Sequence, residues 1–118
     1  MTAVAYKLLD RAEWDAARAT GFYEGSEVDR ADGYIHMSTV DQLAETALRH
    51  YSGRSELVLV EVDLEALGPA LKWDASRGGA LFPHLYGPLP VSAATRDRGL
   101  SVDGRGVMRF DDGRPEWA

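Results

Sequence analysis

Two short aromatic segments each carry a histidine and hold the most distinctive titratable chemistry of this chain. His36 lies in Gly-Tyr-Ile-His-Met-Ser, and His84 lies in Phe-Pro-His-Leu-Tyr-Gly. Imidazole serves in proteins as a general acid, a general base or a metal ligand, and apolar neighbours shield it from water. Titratable groups in such surroundings cluster at functional sites. We therefore interpret His36 and His84 as candidate catalytic residues of one shared site.

Each histidine also has a structural interpretation. A strand histidine such as His36 can simply bond to backbone in the core, and the presence of a second aromatic histidine segment favours function instead. Pro83 and Gly87 are expected to fix a loop that aims the His84 ring. If both rings line one small-molecule pocket, their side chains should lie within about 10 Å of each other.

Four further residues are candidate ligand contacts. Ser38 and Tyr86 belong to the two histidine segments, and Trp73 offers a stacking face. Arg77, followed by two glycines, can present its guanidinium and nearby backbone N–H groups to a phosphate or carboxylate. A helix cap for Ser38 and an ordinary mobile turn for Arg77 are the structural alternatives.

The sequence lacks the residues that several other kinds of chemistry require. The chain has no cysteine, which excludes disulfides, a thiol nucleophile and a zinc ribbon. It has no Gly-x-Ser-x-Gly elbow and no P-loop. A metal site would need His36 and His84 to converge with Asp32 or Asp74, and no His-x-His or His-x-x-x-His spacing supports one. We expect no metal and no required cofactor.

Composition predicts one globular domain over residues 1–118. With 118 residues and 45% hydrophobic content, the chain is long enough for one real core and too short for two. Its formal charge of −6 opposes non-specific nucleic-acid binding. No apolar run approaches the roughly 20 residues of a membrane span, and the start does not resemble a signal peptide. We therefore expect a cytoplasmic protein without membrane contacts. The sequence does not identify a protein partner.

The first half of the chain is predicted to alternate strands with two main helices. The first helix follows Asp10, which with Glu13 forms a capping-box variant, and the second follows Thr39, whose capping partner is Gln42. Residues 22–32 are interpreted as a loop. The predicted elements are the strand Val4–Leu9, the helix Arg11–Ala19, the strand Tyr34–Met37 and the helix Val40–Tyr51.

The second half is predicted to be mostly strands. The almost continuous apolar run Leu57–Val62 indicates a strand covered on both faces. Further strands are expected at Leu71–Trp73, at Pro90–Thr95 and in a hairpin of Leu100–Val102 with Val107–Phe110, with a flexible segment at 74–80. The core is expected to span about residues 4–96, with the hairpin and a tail at 97–118. This order predicts an α+β fold rather than repeated βαβ units.

The two histidine segments, the helix after Ser38 and the strand Leu57–Val62 together resemble a bacterial family of small proteins, domain-of-unknown-function family 952. The resemblance covers roughly Tyr6 to Thr95 and rests on a pair of motifs, each of which would be weak alone. It implies a fold similar to the ADP-ribosyltransferases, in which a split mixed β-sheet surrounds a nucleotide cleft. It implies a pocket but no reaction.

A thinner resemblance concerns NAD chemistry. His36-Met37-Ser38 looks like the His-Leu-Ser strand of RNA phosphotransferases that use NAD, which implies NAD as a candidate co-substrate. Lys7 stands where those enzymes carry a first-strand histidine. The ADP-ribosyltransferases carry a catalytic glutamate on a late strand, and residues 90–96 of this chain contain no acid. Both differences weigh against the transfer of that chemistry.

Two functions from different classes follow. The leading hypothesis is a pocket for a nucleotide-like or anionic small molecule, extending to an NAD-related transferase. The alternative is a non-catalytic module for ligand sensing or protein contact on the same fold. Whether the chain is an enzyme stays open on the sequence alone.

Overall fold

An antiparallel sheet of four strands organises the fold in the computed structural model, which describes residues 3–114 apart from the side chain of Arg77. This part of the chain forms nine strands and three α-helices. The strands are β1 (Val4–Asp10), β2 (Phe22–Tyr23), β3 (Ile35–His36), β4 (Leu57–Asp63), β5 (Leu71–Ala75), β6 (Leu81–Leu85), β7 (Leu89–Pro90), β8 (Ala94–Val102) and β9 (Met108–Phe110). The helices are α1 (Arg11–Thr20), α2 (Glu27–Asp32) and α3 (Leu43–His50).

Strand β4 lies inside the main sheet, whose strand order is β1-β4-β8-β9. Its apolar run is almost entirely buried, as expected for a strand that is covered on both faces. One face packs against α1 through Trp14 and Ala17, and the other packs against α3 through Leu43 and Ala47. The two helices therefore cover opposite sides of this sheet.

The ends of the helices follow local sequence signals. Gly21 ends α1 with a φ of 96°, a left-handed conformation that glycine adopts without strain. Thr39 donates its backbone N–H to the Gln42 side chain as predicted, but this cap precedes a 3₁₀ turn at Val40–Gln42, and α3 begins only at Leu43. Asp10 does not cap α1 with its side chain.

A second sheet of three strands, ordered β3-β6-β5, positions the histidines. Its antiparallel register pairs His36 with His84 and His84 with Lys72. Residues directly opposite in a sheet share a face, so these three side chains form one row. The neighbouring row, Ile35-Leu85-Leu71, packs in or against the core. This sheet therefore has an apolar face and a face that carries ionisable groups.

The α+β class and the single domain are confirmed, whereas the predicted mixed sheet is wrong. Every ladder within the described residues is antiparallel. Strands are split among three sheets, and a single antiparallel bridge between Tyr6 and Ser38 links β1 to the segment after β3. The ladders β5–β6 and β8–β9 join strands that follow each other closely in sequence, whereas the other four pair strands far apart in the chain, whose relative direction no local pattern determines.

Three predicted boundaries are also wrong. The interval expected to be a strand at Pro90–Thr95 contains the end of β7, a 3₁₀ turn at Val91–Ala93 and the start of β8. The core does not end near residue 96, because β8 pairs with β4 up to Leu100 and Phe110 is also buried. Residues 22–32 are not all loop. They include the strand β2 and the helix α2. Helix α2 is short and mostly polar, so its sequence has no apolar stripe at helical spacing that would predict it.

Within residues 3–114, no helix is both long and apolar enough to span a bilayer.

The central strand gives a stability prediction. Leu59 is 0% exposed on β4, so Leu59→Ala should lower the free energy of unfolding by about 2–5 kcal/mol, from lost burial and the cavity left behind. The matched change Leu81→Ala removes the same atoms from a side chain that is 55% exposed and should cost no more than about 0.5 kcal/mol. Urea unfolding measures both, and equal losses would contradict this description of the core.

Candidate functional site

The His36 and His84 rings lie side by side across strands β3 and β6. Their centroids are 5.5 Å apart with an edge-on angle of 69°, which is within the predicted separation of about 10 Å. The pairing follows from the antiparallel register, in which the two residues are directly opposite. A register shift of one residue would move one ring to the apolar face.

Tyr34 covers the histidine pair. Its ring stacks on His84 at 4.2 Å between centroids and 26° between planes, and it lies 4.6 Å from His36. Tyr86 is 5.1 Å from Tyr34 on the other side. We call Tyr34, His36, His84 and Tyr86 the aromatic cluster. This packing buries His84 to 3% exposure on strand β6, so the expectation that it stands on a loop is wrong.

Asp74 on β5 holds His84 from one side. Its Oδ2 lies 2.9 Å from Nδ1 of His84 and accepts a hydrogen bond of 2.6 Å from the Tyr86 hydroxyl. The bonds from Tyr86 and from His84 lower the pKa of Asp74. The same contact raises the pKa of Tyr86 to about 12, because ionised Tyr86 could not donate to Asp74. Asp74 therefore stays an anion beside His84.

Two carboxylates from α2 hold His36. Asp29 Oδ1 lies 2.6 Å from Nδ1 of His36, and Asp32 Oδ2 lies 2.9 Å from Nε2. Asp29 also accepts the backbone N–H of His36. An ionised carboxylate only accepts hydrogen bonds, so His36 satisfies both partners only when both ring nitrogens carry protons. Each ring nitrogen of His36 therefore lies within hydrogen-bond distance of a carboxylate.

Asp29 also forms a buried ion pair with Lys7 of β1. The Lys7 ammonium lies 2.9 Å and 3.1 Å from the two carboxylate oxygens, and both residues are buried. Burial lowers the pKa of Lys7, although the Asp29 charge opposes this effect. Burial alone would raise the pKa of Asp29, but the His36 hydrogen bond and the Lys7 charge together hold it well below its usual range.

A cleft of about 900 Å³ opens beside these groups, which is within the size range of small-molecule sites. His36, His84 and Tyr34 contribute to its lining, as does the Lys7–Asp29 pair. Further lining residues come from α3 and the residues that follow it, including Arg49, His50 and Arg54. The cleft is therefore lined by aromatic rings, by the cationic groups of Arg49 and Arg54 and by acidic side chains such as Glu13 and Glu27.

The other predicted ligand contacts are brought together only in part. Ser38 lines the cleft, where its hydroxyl lies 2.9 Å from that of Thr46. Tyr86 reaches the site through Asp74 and does not belong to the described lining. Trp73 pairs with Pro83, one residue out of step with the His84 row, so it lies on the other face and is not in this cleft. The side chain of Arg77 lies outside the described part of the structure.

The sequence does not show the roles of four residues of the site. Tyr34 was only a neighbour of His36, and Asp29 belonged to the interpreted loop. Asp32 and Asp74 were considered only as metal ligands, whereas each binds a different histidine. Within residues 3–114, no three histidine or acidic side chains are grouped to hold a metal ion. The capping pattern from Ser26 to Asp29 was the one signal that marked α2, and it says nothing about the burial of Asp29.

Fold and cleft together define a class of small α+β proteins with three antiparallel sheets and a cleft that carries a histidine pair. A family model described as "Protein of unknown function (DUF952)" matches residues 8–96. The chain belongs to this family, as its motifs indicated.

Two solved structures are similar to this chain. The X-ray crystal structure of protein CC0527 from Caulobacter crescentus is 56% identical, with a TM-score of 0.85, and the match covers 90% of this chain and 93% of that one. The solution NMR structure of CC0527 is 53% identical, with a TM-score of 0.75, and covers 96% of this chain and 91% of that one. No curated protein matches the chain.

The buried ion pair predicts a pH dependence of stability. The folded state lowers the pKa of Asp29 below its unfolded value near 4, so the ionised carboxylate stabilises the fold above about pH 4 and progressively less as the pH falls further. Asp29→Asn leaves Lys7 buried without its counter-ion and should cost about 3–5 kcal/mol at pH 7.

The difference between wild type and Asp29→Asn should shrink below about pH 4, as measured by urea unfolding across this range. The matched control is Asp15→Asn on the exposed side of α1, which should change stability by no more than about 0.5 kcal/mol at pH 7. A wild-type advantage over Asp29→Asn that does not depend on pH would show that the carboxylate charge is not what stabilises this network.

Proposed function

We propose that the cleft binds an anionic small molecule of nucleotide size. The observation that carries this proposal is the convergence of His36, His84 and Tyr34 on one cleft of about 900 Å³. Aromatic lining with a few fixed polar groups is typical of ligand pockets. The Tyr34 ring and the imidazoles offer faces on which a planar ring can stack.

Charge supports an anionic ligand on the α3 side. Arg49 and Arg54 are exposed; their ion-pair partners are Glu45, which is also exposed, and Asp10, which is half-buried. Such surface pairs contribute little and exchange readily for a phosphate or carboxylate, which guanidinium groups bind in a bidentate manner. The hydroxyl of Ser38 adds a neutral donor on the same side of the cleft.

NAD and ADP-ribose are our candidate ligands by size and charge, as the proposed likeness to the ADP-ribosyltransferase fold suggests. The residues fit binding better than transfer. Asp97 is the only acid on strand β8, and its carboxylate accepts a hydrogen bond from the Trp14 indole rather than facing the cleft. We therefore propose NAD as a bound molecule rather than as a consumed co-substrate.

The non-catalytic alternative, a module that senses a ligand in the cytoplasm, has one observation in its favour. Both ring nitrogens of His36 are already held by Asp29 and Asp32, so this histidine cannot exchange a proton without breaking a hydrogen bond. Under this alternative the same ligand binds without being changed.

Thermal shift with NAD, ADP-ribose and inorganic phosphate tests the binding proposal. At about 100 times its dissociation constant, a ligand stabilises the fold by about 2.7 kcal/mol, so at least one compound should raise Tm by several degrees. Arg54→Gln should reduce that shift, because it removes a cationic group from the cleft.

Arg105→Gln is the matched control, because it removes the same charge from the exposed hairpin outside the cleft and should leave the shift unchanged. A flat response of wild type to all three compounds would overturn the proposal and favour a protein-contact role.

A further inference from the structure

We infer that the two histidines have different roles: His84 is a general base positioned by Asp74, whereas His36 is a fixed cation next to it. This inference rests on the proposed ligand site, because a base needs a bound molecule to act on. It adds a class of chemistry to that site, namely the activation of an oxygen nucleophile. The ligand class is then an anionic molecule with an ester-like electrophilic centre.

The hydrogen bonding of His84 leaves one of its ring nitrogens unengaged. Asp74 is an acceptor at Nδ1, so the neutral imidazole carries its proton on Nδ1 and leaves the lone pair on Nε2. Among the described residues, no hydrogen bond engages Nε2. Nε2 is also not fully buried. It therefore retains access to the cleft that His84 lines. An unpaired basic nitrogen facing a ligand cleft is the arrangement that general-base catalysis requires.

The Asp74–His84 pair is held in place by contacts on both of its members. Asp74 is oriented by a second bond, 2.6 Å from the Tyr86 hydroxyl, and the His84 ring is clamped by the Tyr34 stack at 4.2 Å. A carboxylate at Nδ1 fixes both the tautomer and the orientation of a catalytic imidazole. Asp74 touches only the base and not the ligand, so we describe it as a positioning residue.

His36 differs from His84 in having a carboxylate partner at both ring nitrogens. Its Nδ1 and Nε2 both donate to carboxylates, so no lone pair is left for a substrate proton. The ring centroid is 5.5 Å from that of His84, close enough for its positive charge to act on the same bound group. A fixed charge beside developing negative charge stabilises a transition state without reorganisation.

The proton transfer then balances as follows. Nε2 of His84 accepts the proton of a water molecule or of a ligand hydroxyl, and the oxygen keeps the electron pair of the broken O–H bond. That oxygen forms a bond to the electrophilic centre of the bound ester. The leaving group departs with the electron pair of its own bond and receives the proton from the His84 imidazolium, which returns to its neutral form.

The tautomers can be measured directly on the ligand-free protein. Two-bond ¹H–¹⁵N correlation spectra at neutral pH distinguish protonated from unprotonated ring nitrogens. We expect His84 protonated at Nδ1 alone and His36 protonated at both nitrogens. Protonation of His84 at Nε2 instead, or a lone pair on His36, would overturn the assignment of roles.

Matched variants connect the tautomer to reactivity. Asp74→Asn presents an amide that can donate to Nδ1 and should shift the His84 proton to Nε2. Asp32→Asn makes the same change at the His36 ring and should leave the His84 spectrum unchanged. With 4-nitrophenyl acetate as probe, Asp74→Asn should lower the rate of hydrolysis by about 100-fold, whereas the control Asp15→Asn, on the exposed side of α1 and outside the cleft, should stay within about threefold of wild type.

A wild-type rate equal to that of Asp74→Asn would overturn the base assignment. The thermal shift with nucleotides is independent of this result, since it measures binding alone. If the shift is present and the rates are equal, the ligand site stands and only the general base fails. If the shift is absent while the tautomers and rates behave as expected, His84 is a base for a different ester and the nucleotide proposal fails.

Discussion

The buried carboxylate of Asp29 joins three elements on which the cleft depends. It pairs with Lys7 of β1, starts α2 by accepting the Ser26 backbone N–H, and holds both the backbone and the ring of His36 on β3. Removing a carboxylate from water is costly unless every acceptor is used, and here several donors meet it. The short helix α2 has few apolar residues of its own, so this polar network fixes its place.

The second constraint is the register of the three-stranded sheet. Because β3, β6 and β5 are antiparallel and in step, His36, His84 and Lys72 form one row while the adjacent row packs against the core. Apolar contacts thereby set the position of the ionisable face, since a slip would expose the core row. The aromatic cluster is a consequence of a register that packing enforces.

The histidines were predictable, but their partners were not. The short aromatic segments identified His36 and His84, and their proximity was expected from the idea of one shared site. Asp74 lies ten residues from His84 and meets it only through the pairing of β5 with β6. Trp73 is a suitable stacking residue by its side-chain type, but the alternation of side chains along β5 puts it on the opposite face of the sheet. Side-chain type shows what chemistry is available, and pairing decides which groups touch.

The sequence by itself determined the α+β class, the two main helices with Gly21 as the stop of α1, and the buried strand β4. These features depend on local signals, namely apolar periodicity, caps and turn residues. Tertiary structure alone decided the antiparallel pairing, the extension of the core beyond residue 96, and the different surroundings of His36 and His84. Those depend on contacts between residues far apart in the chain, such as Lys7 with Asp29, which a single sequence does not encode in any local pattern.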